Sequence, residues 1–83
     1  MNAPERSKNK QCSPELLNTL AKNVKRLRVK KGISQEALGD SADLHRTFIS
    51  MIERGGNNIT LGVVEALASA LDTDVPTLLT KHE

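Results

Sequence analysis

The sequence predicts an all-α fold, a compact bundle of about five short helices, and three observations carry that expectation. Apolar residues recur at three- and four-residue spacing, the period that paints one face of a helix. Helix starts recur with a shared order of residues: an apolar position, a capping residue, three residues, and a second apolar position. No stretch alternates with period two, and no Asn-Gly or Asp-Gly turn joins β-branched runs, so strands and hairpins have no support.

The elements follow in order. The first dozen residues, MNAPERSKNKQC, are polar and aperiodic; residues 1–12 are expected to form a flexible tail and 13–83 the folded domain. Ser13 is an N-cap candidate, and Pro14 follows at the first helical position, where its missing N–H costs nothing. Leu16, Leu17, Leu20, Val24 and Leu27 then line one face of a helix of about 17 residues, which Gly32 stops in a left-handed conformation. Ser34 caps a second helix, with Ile33 and Leu38 placed as a hydrophobic staple. The third start pairs Leu44 with Ile49 around His45, runs into Ile52 and ends at Gly55; the fourth pairs Ile59 with Val64 around Thr60 and continues through Leu67, Ala68 and Leu71. A short fifth helix is expected near Pro76, carrying Leu78 and Leu79. Connections of a few residues force these pieces together.

Composition removes several classes. The chain has 83 residues, enough for one modest core. A single Cys excludes an internal disulfide framework and points to a reducing, cytoplasmic setting. No apolar run approaches the ~18 residues of a membrane span, and the first residues lack a signal-peptide core. With one aromatic residue, Phe48, there is no stacking platform for single-stranded nucleic acid. The formal charge of +2 is too small to define a partner, but its distribution is uneven. Lys22, Lys25, Arg26, Arg28, Lys30 and Lys31 stand in the first helix against Glu15, whereas Glu65, Asp72, Asp74 and Glu83 outweigh Lys81 at the end. A basic end suits a polyanion; a solvated helix face would have the same composition.

Helices two and three are short and separated by about four residues around Ala42-Asp43-Leu44. So tight a joint makes two helices cross steeply, in helix-turn-helix geometry. Ala37, Leu38, Ala42, Leu44, Ile49 and Ile52 fall on the inward side. Arg46, Thr47 and Ser50 fall on the other side of helix three, with Met51 near its edge. A helix over 45–54 would be about 15 Å long and fit a major groove about 12 Å wide. Arg46 is suited to guanine N7 and O6, and Thr47 presents a hydroxyl and a methyl. Ordinary exposed polar residues at a helix start would look the same.

These residues resemble the Cro/repressor-type, or XRE, helix-turn-helix family, and the fold implied is lambda-repressor-like. The matching text is Arg28 four before Gly32, then Ile33-Ser34-Gln35-Glu36-Ala37-Leu38, then Ile49-Ser50 and Ile52-Glu53-Arg54-Gly55. The run LHRTFISMIERG followed by NIT is similar to the small controller proteins of restriction–modification systems. The resemblance implies that Arg46, Thr47 and Ser50 contact bases. It implies that Gln35, Arg54, Asn57 and Asn58 contact phosphates, and that Arg28 and Glu53 form a structural ion pair. Such phosphate contacts set register without carrying sequence information.

The sequence also departs from that pattern. Asp43 stands where the turn usually has Gly, and Gly39 where helix two usually has Ala, a change expected to weaken the helix by roughly 0.5–1 kcal/mol. His45 is a poorer cap than Ser or Thr. Phe48 replaces a common Tyr, and Asn57 a common Arg.

The expected function is a sequence-specific DNA-binding transcriptional regulator, a controller acting on a double-stranded operator beside RNA polymerase. One recognition helix per subunit makes few base contacts, so a homodimer on a palindrome is expected, with Leu71, Val75, Leu78 and Leu79 as candidates for the dimer interface or, alternatively, for the core. An antitoxin-like or adaptor module that binds a protein is the competing expectation. No enzyme, cofactor, metal or membrane partner is expected: Cys12, His45 and His82 lack zinc-site spacing, and there is neither a Gly-rich phosphate loop nor a nucleophile elbow.

Overall fold

A computed structural model describes residues 11–56 and 58–82. Among them the chain forms five helices: α1 (Pro14–Lys31), α2 (Gln35–Ala42), α3 (Arg46–Glu53), α4 (Leu61–Ala70) and α5 (Val75–Leu78). The shared starts are real caps. Side-chain acceptors of Ser13, Ser34, Thr60 and Asp74 take the N–H three residues on, and His45 takes that of Thr47. Each satisfies a donor that the first turn leaves without a partner.

Four of the five helix ends are equally uniform. Ile33 N–H donates to Arg28 C=O at 3.3 Å, Leu44 to Gly39 at 2.8 Å, Gly56 to Met51 at 3.2 Å and Thr73 to Ala68 at 2.9 Å. Each bond closes a Schellman motif around one left-handed residue: Gly32, Asp43, Gly55 and Asp72. Asp43 therefore holds the turn between α2 and α3 with φ 59°, a conformation that Asp tolerates better than most residues.

One expectation reverses here. Gly39 is buried, and a Cβ there would run into the Leu44 carbonyl oxygen. The residue that weakens α2 by propensity is what lets the α2–α3 turn fold back this closely.

The staple residues close the core. Leu38, Ile49, Ile52, Val64, Leu67, Val24 and Leu20 form one buried cluster, with Ile33, Leu44 and Ile59 packed against it. Asn23 is buried among these apolar neighbours and ties the end of the fold to α1. Its amide Nδ2 lies 2.8 Å from the carbonyls of Leu78 and Thr80 and 3.3 Å from that of Thr77.

Leu71 and Leu78 belong to the same interior, 6% and 0% exposed in the single chain. Of the four residues expected at a dimer interface, those two are core, and only Val75 and Leu79 keep accessible area. Residues 1–10 of the expected tail lie outside the described residues. Cys12 is half-buried, its N–H donating to Asn58 Oδ1 at 3.0 Å.

Candidate nucleic-acid interface

α3 is about 12 Å long at 1.5 Å per residue, slightly shorter than expected, and its two ends are held differently. At the C-terminal end Glu53 is nearly closed off, with a side chain 4% exposed against 13% for Arg28. Arg28 Nε donates to Glu53 Oε2 at 2.6 Å and Nη2 to Oε1 at 3.1 Å, a two-pronged pair. The remaining prong, Nη1, donates to the Ile33 carbonyl at 2.9 Å. This hydrogen bonding to Glu53 raises the Arg28 pKa above the ordinary arginine value although burial opposes it. Arg28 thereby joins α1, the α1–α2 turn and α3.

Gln35 enters the same network: its Nε2 donates to Glu53 Oε1 at 3.0 Å. The residue expected on a phosphate is thus already anchored to the ion pair, with one amide N–H remaining. A planar amide held this way presents that N–H in a fixed direction beside the start of α2. There the unpaired backbone N–H groups also favour an anion.

The N-terminal end of α3 is open. Arg46 and Thr47 are exposed, Ser50 and Met51 half-buried, and Ile49 and Ile52 wholly inside. The expected division between inward and outward faces therefore holds, and neither Arg46 nor Thr47 is tucked against its own chain.

The structure pairs the remaining candidates in ways the spacing does not reveal. Arg54 Nη1 donates to Ser50 Oγ at 2.7 Å, so a phosphate candidate and a base candidate hold one another on the rim. Asn58 is exposed and accepts from the Cys12 backbone, which leaves its NH₂ as donor. Asn57 lies outside the described residues.

His45, a mediocre cap by residue type, is a central member of this edge. Its Nδ1 is 3.1 Å from the Thr47 N–H and 2.8 Å from the Thr47 hydroxyl. An imidazole two residues before a hydroxyl at a helix start is the signal that could have exposed it. For Asn23 the signal is a lone amide on the apolar face between Leu20 and Leu27.

Two short helices joined by a Schellman turn, with the second locked at its far end and exposing a polar leading edge, define a helix-turn-helix protein. Comparison with known proteins agrees. The family model described as Helix-turn-helix matches residues 24–78, more than half of the chain, and the chain belongs to that family of DNA-binding transcriptional regulators, which is not a family of enzymes. Control protein C.SmaI of Serratia marcescens is 43% identical over 71 residues, covering 86% of this chain and 84% of that protein. Among solved structures, the restriction–modification controller C.AhdI from Aeromonas hydrophila superposes with TM-score 0.72 at 35% identity over 75% of this chain and 94% of its own. The hypothetical transcription factor NHTF from Neisseria gives TM-score 0.77 at 37% identity over 87% and 84%. Among the described residues no helix is long and apolar enough to cross a membrane, and no group of metal-binding side chains is found.

Proposed function

We propose that this chain is the controller of a restriction–modification system, working in the cytoplasm as a homodimer that reads a roughly palindromic operator. The observation that carries the proposal is the exposed leading edge of α3, Arg46 and Thr47 with Ser50 behind them, on a helix whose other end is immobilised. Arg46 reads a guanine through its planar fork, and Thr47 and Ser50 meet the neighbouring base edges. Gln35, Arg54 and Asn58 hold phosphates on either side and set the register. The controller names of C.SmaI and C.AhdI support the biological assignment.

A dimer follows from the small number of base contacts that one helix of this length makes, and its half-site centres lie about 34–36 Å apart or a multiple of that. Exposed apolar residues support a self-association face away from α3. Leu61 is 72% and Leu16 38% exposed, and both border a groove that Ile59 and Leu79 help to line. An operator next to a promoter sets the bound dimer beside RNA polymerase.

The test is a gel-shift comparison of an operator selected from randomised duplexes with its scrambled counterpart, across a salt series. The proposal expects strong preference for the selected duplex and a steep loss of affinity with salt. Equal binding of both contradicts sequence reading. A stoichiometric protein partner with no DNA affinity at low salt establishes the adaptor reading instead.

A further inference from the structure

The two hydroxyls on the leading edge of α3 are committed in opposite senses. The Thr47 backbone N–H donates to His45 Nδ1 at 3.1 Å, which requires that nitrogen to carry a lone pair and no proton. The Thr47 hydroxyl lies 2.8 Å from the same nitrogen. A nitrogen without a proton cannot donate, so the hydroxyl is the donor and its hydrogen points at the imidazole. Thr47 therefore offers an approaching surface a methyl group and oxygen lone pairs only. Ser50 is the reverse case. Arg54 occupies a lone pair of its oxygen at 2.7 Å, and the Ser50 O–H remains a donor.

We propose that His45 is a specificity-determining positioning residue: by accepting the Thr47 hydroxyl proton it makes Thr47 an acceptor-only reader. Such a reader selects an exocyclic amino group in the major groove, adenine N6 or cytosine N4, and rejects the carbonyl oxygens of guanine and thymine. Hydroxyls ordinarily rotate to suit either kind of partner and discriminate poorly for that reason. His45 removes the rotation. The inference rests on the proposal above that α3 enters the major groove, and it deepens that proposal by assigning a donor and acceptor pattern to the edge.

The experiment starts from the selected operator and from the base pair whose preference disappears in Thr47→Val. There the amino group is exchanged for a carbonyl oxygen, adenine to hypoxanthine or cytosine to uracil, with the opposite base changed to keep pairing. The intact protein should lose about tenfold in affinity, because an oxygen then faces an oxygen with no proton between them. In His45→Gly, a change with a small capping penalty, the hydroxyl turns to donate and the exchange should cost almost nothing. His45→Asn supplies a side-chain oxygen that accepts from both Thr47 groups, and it should restore the discrimination.

The proposal is overturned if His45→Gly weakens both duplexes by one common factor, since the residue is then a cap alone. It is equally overturned if the intact protein prefers the carbonyl, or if Thr47→Val leaves the selected sequence unaltered. An intact protein that binds selected and scrambled duplexes alike fails at the earlier step, groove reading itself, and removes this inference with it.

Discussion

The two ends of α3 share one short helix and have opposite physical characters. Glu53 is sealed under Arg28 and Gln35, whereas seven residues earlier Arg46 stands in solvent with only a local cap to steady the turn. The sealed end joins α1, the first turn of α2 and α3 through one carboxylate, so the orientation of the helix is fixed before any ligand arrives. The open end leaves Arg46 exposed, while both Thr47 donors stay with the His45 imidazole. Rigidity is placed at the buried ion pair, and exposed polar side chains stand at the opposite end. A helix with both ends open would lose ordering entropy on binding, and one with both ends sealed would read nothing.

The largest effect should come from breaking the sealed end. Arg28→Ala strands the Glu53 charge, and urea denaturation should show a loss of about 3–5 kcal/mol. Adding Glu53→Leu to that variant should recover most of the loss, because the buried charge is then gone. A comparable loss in both would assign the stability to packing of the arginine stem instead.

Gly39→Ala comes next and separates propensity from tertiary fit. Propensity alone favours alanine by roughly 0.5–1 kcal/mol. The Leu44 carbonyl in the path of the new methyl reverses the sign, and a destabilisation of roughly 1–3 kcal/mol is expected in thermal or urea melts.

At the open end the pattern inverts. Arg46→Ala should leave stability within about 0.5 kcal/mol, while discrimination at one base pair falls by about 1–3 kcal/mol in competition binding. Arg54→Ala should weaken every duplex and lower the salt slope by roughly 0.9, the share of one phosphate contact.

The smallest effect lies far from both ends, at the cap of α5. The Thr77 hydroxyl and then the Thr77 N–H, both bonded to Asp74, hold its carboxyl below the usual aspartate value. A depressed folded-state pKa stabilises the fold above the unfolded value near 3.8, and that contribution is lost as pH falls through the folded value. Asp74→Asn keeps a capping oxygen that does not titrate, so its urea midpoint should decline less steeply with acid than that of the parent. Identical acid profiles would remove the assigned role.

Local chemistry made the fold legible. Ser13, Ser34 and Thr60 announce starts, Gly32 and Gly55 announce stops, and the staples Ile33–Leu38, Leu44–Ile49 and Ile59–Val64 say which faces turn inward. Each is a relation between residues a few positions apart, which a chain displays directly. Relations between distant residues stayed hidden. Gln35 on Glu53, Asn58 on Cys12 and Asn23 on the last carbonyls are contacts that only the folded chain creates. Gly39 obeys the same rule: its cost is local and its benefit lies across the turn. The exposed edge of α3 follows from helical periodicity, whereas the direction of the Thr47 hydroxyl depends also on the rotamer that the neighbouring His45 imidazole takes.

Amide NMR shifts followed during titration with the selected duplex measure where DNA touches the protein. The largest changes should fall at Arg46, Thr47 and Ser50 and at the start of α2 around Gln35, with the outer face of α1 at Lys22 and the α4 residues near Glu65 nearly still. Shifts centred on α4 and α5, with the start of α3 unmoved, would contradict groove reading by α3.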